Sequence, residues 1–200
     1  TCTWLSTSPA MTTASPASLP PRPHPVTAVA LSQDGKHLLA GTGETEGTGD
    51  KPMVHELTLW RIGSGKPTHL TLAKTEAPVR AVAFSQDGKR AVAAFQGSGD
   101  LAVFDVPSGK AGERIALGSF ATKLAPLAGS RVLAARVDGT LVVADLEGGK
   151  ATPLPGVGPG DARALAVSPR HELIAVGGPQ GRIELRRGQG GEAFDTGDPG

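Results

Sequence analysis

Short apolar segments alternate with polar turns along most of the chain. In one stretch, the apolar run VRAVAF (79–84) reaches a turn SQDG, and a second run, RAVAAF (90–95), follows. A third run, DLAVFDV (100–106), comes after a Gly/Asp break, and a poorer fourth run, GERIALG (112–118), comes after a Gly-rich turn. Runs of this length, rich in Val, Leu and Ile and bounded by Gly, Asp and Pro, are typical of β-strands. The pattern therefore predicts four strands in succession.

This pattern recurs along the chain. VALSQDGK (29–36) and VAFSQDGK (82–89) differ at a single position, and VRAVAFS (79–85) returns as ARALAVS (162–168). A second phrase ends each unit, as IGSGK (62–66), VPSGK (106–110), LEGGK (146–150) and, more weakly, RGQGG (187–191). Four copies with a period of about 41 residues indicate a chain of stacked repeats.

The repeated SQDG phrase has a local structural explanation. Asp34-Gly35 and Asp87-Gly88 each stand between two apolar runs. Gly accepts a positive φ, and an Asp side chain bonds the backbone that follows it, so the pair suits a tight hairpin turn. We interpret these aspartates as turn residues rather than catalytic carboxylates.

Four antiparallel strands in about 41 residues have the size of a propeller blade. Over about residues 26–194 the chain resembles the WD-repeat β-propeller family, in VALSQDGK and VAFSQDGK, VDGTLVVADL (137–146), LTLW (57–60) and VFDVPSGK (103–110). The resemblance implies an all-β fold, a β-propeller of repeated four-stranded antiparallel blades. About four blades are visible, at 26–73, 79–118, 121–156 and 162–194.

The repeats diverge from the family pattern. No copy carries the family's Gly-His before its first strand, and only Asp138 clearly keeps the turn Asp before the third. The family's Trp-Asp pair is replaced by Trp60-Arg61, Phe104-Asp105, Ala144-Asp145 and Leu185-Arg186.

The first three runs of each copy are apolar at nearly every position, as in strands covered on both faces. We expect burial between blades for Leu31, Val82, Phe84, Val92, Val103, Leu133, Val143, Leu165, Ile174 and Ile183.

The ends of the chain differ from the repeats. Residues 1–25 are rich in Ser, Thr, Pro and Ala and predict a flexible lead, and 195–200 form a tail. The alternation of TCTW (1–4) leaves open that this lead holds the remnant of an upstream blade. A polar insertion at 43–56 carries either function or a tolerated change of length. Because the chain starts with Thr, we expect a processed chain or part of a longer protein, which supplies the remaining blades.

Composition and motifs narrow the chemistry. A net charge of +1 and 4% aromatic residues do not favour nucleic-acid binding, and no apolar run approaches the length of a membrane span. The single Cys2 forms no internal disulfide, so the cellular compartment stays open. The five histidines lack metal-ligand spacing, and in GSGKPT (63–68) Pro67 stands where a phosphate loop has Ser or Thr. We expect no metal, no cofactor and no catalytic residue.

For function, the resemblance implies a non-catalytic protein–protein interaction scaffold that forms one module of a larger protein. Two alternatives remain open. One is a propeller enzyme of the hydrolase or quinone-dependent dehydrogenase type, which needs His and carboxylate groups converging on a central channel. The other is a sensory or regulatory domain of a bacterial signalling protein.

A candidate binding site follows from aligning the starts of the first strands. VTAV, VRAV, ATKL and ARAL place Thr27, Arg80, Thr122 and Arg163 at equivalent positions, with Lys123 beside Thr122. The resemblance implies that these positions lie near the mouth of the channel, on the face most used for partners. Arg80, Lys123 and Arg163 would then form a basic rim suited to an acidic peptide or a protein carboxylate. The alternative is that these side chains are solvated strand ends.

Overall fold

The structure, a computed structural model of the chain, describes residues 19–20, 24–43, 54–63, 66–154, 162–168, 173–187 and 192–194. Within these ranges the chain forms sixteen β-strands and one three-residue 3-10 turn, Pro179–Gly181. The same ranges contain no α-helix, and so none with the length and apolar character needed to cross a membrane. The all-β prediction is confirmed.

The strands form four antiparallel sheets, each made of four consecutive strands in sequence order. The first sheet contains β1 (Val26–Leu31), β2 (His37–Thr42), β3 (His55–Arg61) and β4 (Thr68–Thr75). The second contains β5 (Val79–Phe84), β6 (Arg90–Phe95), β7 (Asp100–Asp105) and β8 (Ile115–Ala116). The third contains β9 (Ala121–Pro126), β10 (Arg131–Arg136), β11 (Leu141–Asp145) and β12 (Lys150–Pro153). The fourth contains β13 (Ala164–Ser168), β14 (Leu173–Gly177), β15 (Ile183–Arg187) and β16 (Glu192–Phe194).

Consecutive sheets pack against each other through their first strands, which we call the innermost strands. β1 packs on β5, β5 on β9, and β9 on β13. No packing of comparable extent joins β13 to β1 in the described chain. Radial repetition of four-stranded sheets around a set of first strands is the architecture of propeller blades, as the repeat period predicts.

The core lies between neighbouring sheets as three separate apolar clusters. Successive residues of a strand face opposite sides of its sheet. On β6, Ala91 and Ala93 accordingly pack toward the first sheet, whereas Val92 and Ala94 pack toward the third. All four side chains are completely buried. The middle strands are therefore apolar at consecutive positions because each sheet has a neighbour on both sides.

Of the ten residues predicted to be buried between blades, six are buried and two are partly buried. Val82, Phe84, Val92, Val103, Leu133 and Ile174 are the buried ones, and Val143 and Leu165 the partly buried ones. The prediction is wrong for Leu31 and Ile183, which are 64% and 70% exposed. These two lie on the outward faces of the first and last sheets, where no further described sheet covers them.

The SQDG turns have the structure that their residues predict. In the second copy, Ser85 Oγ donates to Asp87 Oδ1 at 2.5 Å, and the same carboxylate oxygen accepts the Lys89 N–H at 3.0 Å. Gly88 closes the turn with φ +70°, and its N–H donates to the Ser85 carbonyl at 3.0 Å. Ser32, Asp34 and Gly35 repeat the arrangement in the first copy, with φ +67° at the glycine. The turn interpretation is confirmed.

Several sequence predictions fall outside the described residues. These are most of the lead at 1–25, the tail at 195–200 and all but the ends of the insertion at 43–56. The flexibility of the lead, the upstream-blade alternative for TCTW and the role of the insertion stay predictions.

Truncating one core residue tests the packing between blades. Leu101 is completely buried between the second and third sheets. We expect Leu101→Ala to lower the free energy of unfolding by about 2–5 kcal/mol, because it removes buried methyl groups and leaves a cavity. The measurement is urea denaturation followed by circular dichroism. Val137→Ala, at a side chain that is 53% exposed, is the control and should stay within about 0.5 kcal/mol of wild type. Equal losses in both variants would contradict the interior position of Leu101.

Substituting one turn glycine tests the SQDG conformation. A Cβ at Gly88 would meet no atom within 4 Å, so Gly88→Ala changes only the backbone strain at φ +70°. We expect a loss of about 1 kcal/mol, because L-residues are disfavoured in the left-handed region. Gly99→Ala is the matched control, since Gly99 lies outside that region and its added Cβ would contact backbone at an ordinary 3.6 Å. A stable Gly88→Ala variant in urea denaturation would refute the turn geometry.

Candidate functional site

The rim residues lie at irregular positions at the starts of the innermost strands. Thr27, Arg80 and Thr122 each fall at a register shift, where their strand has one more residue than its partner. Such a bulge changes the direction in which the side chain points. Arg163 directly precedes β13, and its N–H donates to the Gly177 carbonyl at 2.8 Å. The structure therefore brings the four aligned residues to the same end of four neighbouring strands.

The two threonines of the rim are engaged within the chain. Thr27 Oγ1 lies 2.6 Å from the Val79 carbonyl oxygen and 3.3 Å from the Gly41 carbonyl oxygen. The shorter contact joins β1 to β5, so this hydroxyl links two blades. Thr122 Oγ1 donates to the Ala135 carbonyl at 3.2 Å within the third sheet. The threonine hydroxyls thus support the rim.

The cations of the rim have no such partners. Arg80 is half-buried, and Lys123 and Arg163 are exposed. Within the described residues their side chains form no hydrogen bond and no ion pair. Arginines elsewhere are paired with aspartates, namely Arg90 with Asp105, Arg114 with Asp100, and Arg136 with Asp138. We call Arg80, Lys123 and Arg163 the basic rim.

Lys123 and Arg163 belong to adjoining blades. Lys123 pairs with Ala135 across β9 and β10, and directly paired residues present their side chains on one face of a sheet. Ala135 packs in the cluster between the third and fourth sheets, so Lys123 lies on the side that faces the fourth sheet. Arg163 begins the innermost segment of that sheet. Two positive charges are consequently placed on neighbouring strands, and Arg80 lies on the preceding blade, the second.

Arg136 lies near this end of the third sheet, but its guanidinium group already has partners within the chain. Its Nη1 donates to the Leu117 carbonyl at 2.9 Å, and its Nε donates to Thr140 Oγ1 at 2.6 Å. Its Nη2 lies 3.4 Å from Asp138 Oδ2. Arg136 therefore joins the second and third blades and is not available to a ligand as the rim cations are.

The same end of the blades carries the connections between second and third strands. One of them places Val137 there, 53% exposed. Sequence reasoning missed this residue, although an apolar side chain inside the polar turn RVDGT was a visible signal. The insertion at 43–56 also starts and ends here, since the Gly43 N–H donates to the Pro25 carbonyl just before β1. The basic rim and the insertion at 43–56, the two regions considered for partner binding, thus lie at the same end of the blades.

A central catalytic site would need acids or bases on the innermost strands. Arg80 and Lys123 are the only ionisable side chains on β1, β5, β9 and β13. No His or carboxylate occurs on these four strands. The described part of the chain also holds no cluster of three or more His, Cys, Asp or Glu able to bind a metal ion.

The turn aspartates lie at the opposite end and serve as hydrogen-bond acceptors. The Ser32 hydroxyl and the Lys36 N–H hold the pKa of Asp34 below its ordinary value of 3.8. For Asp87, burial raises the pKa, but hydrogen bonds from Ser85 and Lys89 outweigh it, so the net shift is downward. Each carboxylate is therefore stabilised in its ionised form, as its role in the turn requires.

No protein-family model matches the chain, and no curated protein matches its sequence. Among solved structures, the chain is similar to the β-propeller domain of Cps50 (Swd1) from Myceliophteria thermophila, with a TM-score of 0.64 and 14% sequence identity. The match covers 86% of this chain and 55% of that domain, so the chain spans about half of the propeller it resembles. At this identity the likeness shows the fold, a β-propeller.

The pH dependence of stability tests the role of Asp87. A carboxyl group whose pKa is lowered by folding stabilises the fold at pH values above its unfolded pKa. This stabilisation is lost as the pH falls through the lower, folded-state pKa. We expect Asp87→Asn to be less stable than wild type above pH 3.8, with a difference that shrinks below it. The measurement is urea denaturation over a pH series.

Glu113→Gln is the control for this series, because Glu113 is exposed and makes no hydrogen bond in the described chain. Its difference from wild type should stay small across the same range. Parallel stability profiles for wild type and Asp87→Asn would show that the turn carboxylate does not contribute in its ionised form.

Proposed function

We propose that this chain is a non-catalytic interaction module of the propeller type that binds an acidic peptide or an acidic protein segment at the basic rim. The observation that carries the proposal is the set of three cations, Arg80, Lys123 and Arg163, that lie at one end of neighbouring strands without a partner in the described chain. The absence of His and carboxylate side chains on the innermost strands supports a binding role over a catalytic one.

The rim suits carboxylates because of both charge and geometry. Guanidinium groups form charge-assisted hydrogen bonds with carboxylates, often with two parallel N–H donors. The chain as a whole has a net charge of +1, so attraction of an acidic ligand comes from the local group of rim cations and not from the overall charge. Steering by such a group is strongest at low ionic strength.

The support under the rim is rigid, which favours binding. The bulged positions are set by strand pairing, and Thr27 ties the start of β1 to β5 through the Val79 carbonyl. A ligand then meets cations whose backbone is already ordered, and less conformational entropy is lost on binding. Val137, exposed at the same end, offers an apolar contact next to the charges.

Charge reversal at the rim tests the proposal. The probe is a short fluorescein-labelled oligoglutamate peptide, and its binding is followed by fluorescence anisotropy at low salt. Exposed ion pairs contribute roughly 0.2–1 kcal/mol each, and reversal also adds repulsion. We therefore expect Arg80→Glu combined with Arg163→Glu to raise the dissociation constant about tenfold.

A matched control reverses two other cations. Lys36 and Lys110 are exposed and lie at the opposite end of the blades, and their side chains form no hydrogen bond and no ion pair within the described residues. Lys36→Glu with Lys110→Glu gives the same change in net charge and should leave most of the binding intact. If the two double variants lose binding equally, the effect is one of net charge and the rim is not the site. If the rim variant retains binding, the rim is not the site either, and the insertion at 43–56 becomes the next region to test.

A further inference from the structure

Each sheet has a trailing face, directed toward the next sheet along the chain. On this face, we compare the third-strand residue of the last pair between the second and third strands. In the four sheets this residue is Leu57, Leu101, Leu141 and Ile183. The first three side chains are 0%, 0% and 1% exposed, whereas Ile183 is 70% exposed. The same structural position is thus buried three times and open once, because no described sheet follows the fourth.

The trailing face of the fourth sheet has the composition of a blade interface. Ala164, Ala166, Ala175, Ile183 and Leu185 occupy the positions that Ala81, Ala83, Val92, Leu101 and Val103 hold on the second sheet. The second set belongs to the cluster packed against the third sheet. A surface with similarly small and branched apolar side chains at the same register has the properties of one that another sheet covers.

The first sheet exposes the complementary surface. Its leading face, directed away from the second sheet, shows Val29 and Leu31 on β1, both 64% exposed. Their counterparts on β5, Val82 and Phe84, are 7% and 4% exposed because the first sheet covers them. The uncovered part is the innermost strand, since Trp60, further out on the same face, is buried.

A cavity of about 390 Å³ extends across the innermost strands of the first three sheets, and it is lined in part by Val29, Leu31, Val82, Phe84, Leu124 and Pro126. Val29 and Leu31 therefore border open space at the end of β1, in agreement with their exposure.

We propose that the trailing face of the fourth sheet binds the exposed innermost strand of the first sheet in a second copy of the chain. The partner copy makes the same contact in return, so that two chains close head to tail. Four blades from each copy give a ring of about eight, within the range in which propellers close. This interface is heterologous, and it ends in a closed dimer because two copies complete the circle.

The amount of sheet needed to close the ring agrees with a second copy of the chain as the partner. The chain matches 55% of the propeller domain to which it is similar, so closing the circle requires about as much sheet again. A second copy supplies that amount and carries both faces required. The sequence led us to expect the remaining blades from a longer chain. The oligomeric state distinguishes that source from a second copy of this chain. The inference does not rest on acidic-peptide binding, although closure would place both basic rims at one end of the ring.

The experiment is the mass of the purified chain in solution, measured by size exclusion with light scattering. We expect twice the monomer mass for wild type. Ile183→Glu on the trailing face and Val29→Glu on the leading face should each give monomers, because each places a charge in both apolar contacts. Both side chains are exposed in the single chain, so the substitutions leave the blades folded, which circular dichroism checks. Val137→Glu, at a similarly exposed residue away from both faces, should remain dimeric.

Mixing the two monomeric variants tests the head-to-tail arrangement. In a mixed pair, the unaltered trailing face of Val29→Glu meets the unaltered leading face of Ile183→Glu, so one intact interface returns. We expect the mixture to recover dimers that neither variant forms alone. A monomeric wild type overturns the proposal and leaves further blades of a longer chain as the occupant. Dimers that survive either single substitution, or a mixture that stays monomeric, overturn it as well.

Discussion

Each sheet of this chain is apolar on both of its faces, and this property requires a neighbour on each side. Ala91 and Ala93 on one face of β6, and Val92 and Ala94 on the other, are all withdrawn from water. A sheet with a polar outer face could stand at the surface, but these sheets cannot without exposing branched side chains. Radial stacking satisfies the requirement for the inner blades and leaves it unsatisfied at the two ends of the series.

The geometry of the rim depends on this stacking. Packing of the innermost strands brings their starts together, and the bulges at Thr27, Arg80 and Thr122 turn those side chains out of the regular ladder. Thr27 then bonds the Val79 carbonyl of the next blade, so that the position of one rim residue depends on its neighbour. The positions of the rim residues are therefore set by contacts between strands and not by the local sequence alone.

Many of the described aspartates have partners close to them in the structure. Aspartates at the end opposite the rim accept hydrogen bonds from turn hydroxyls and N–H groups, as Asp34 and Asp87 do. Other aspartates neutralise arginines, as Asp105 does for Arg90. These aspartates are thus committed to local structure, whereas the three rim cations have no side-chain partner within the described residues.

The sequence by itself determined the local structure of this protein. The period of about 41 residues, the run lengths and the SQDG turns specify four strands per repeat, because hairpins and strands depend on residues close together in the chain. Alignment of the repeats also placed Thr27, Arg80 and Thr122 at one equivalent position, which the shared register shifts bear out.

Only the tertiary structure decided which blade faces are covered. Leu31 and Ile183 have the same apolar character as their buried counterparts, yet they are exposed because they belong to the first and last sheets of the series. Likewise, the sequence does not show that the Arg136 guanidinium donates to the Leu117 carbonyl of the preceding blade, whereas Arg80 has no partner in the described chain. Burial and pairing depend on contacts between residues far apart in the chain, and a repeat period does not contain that information.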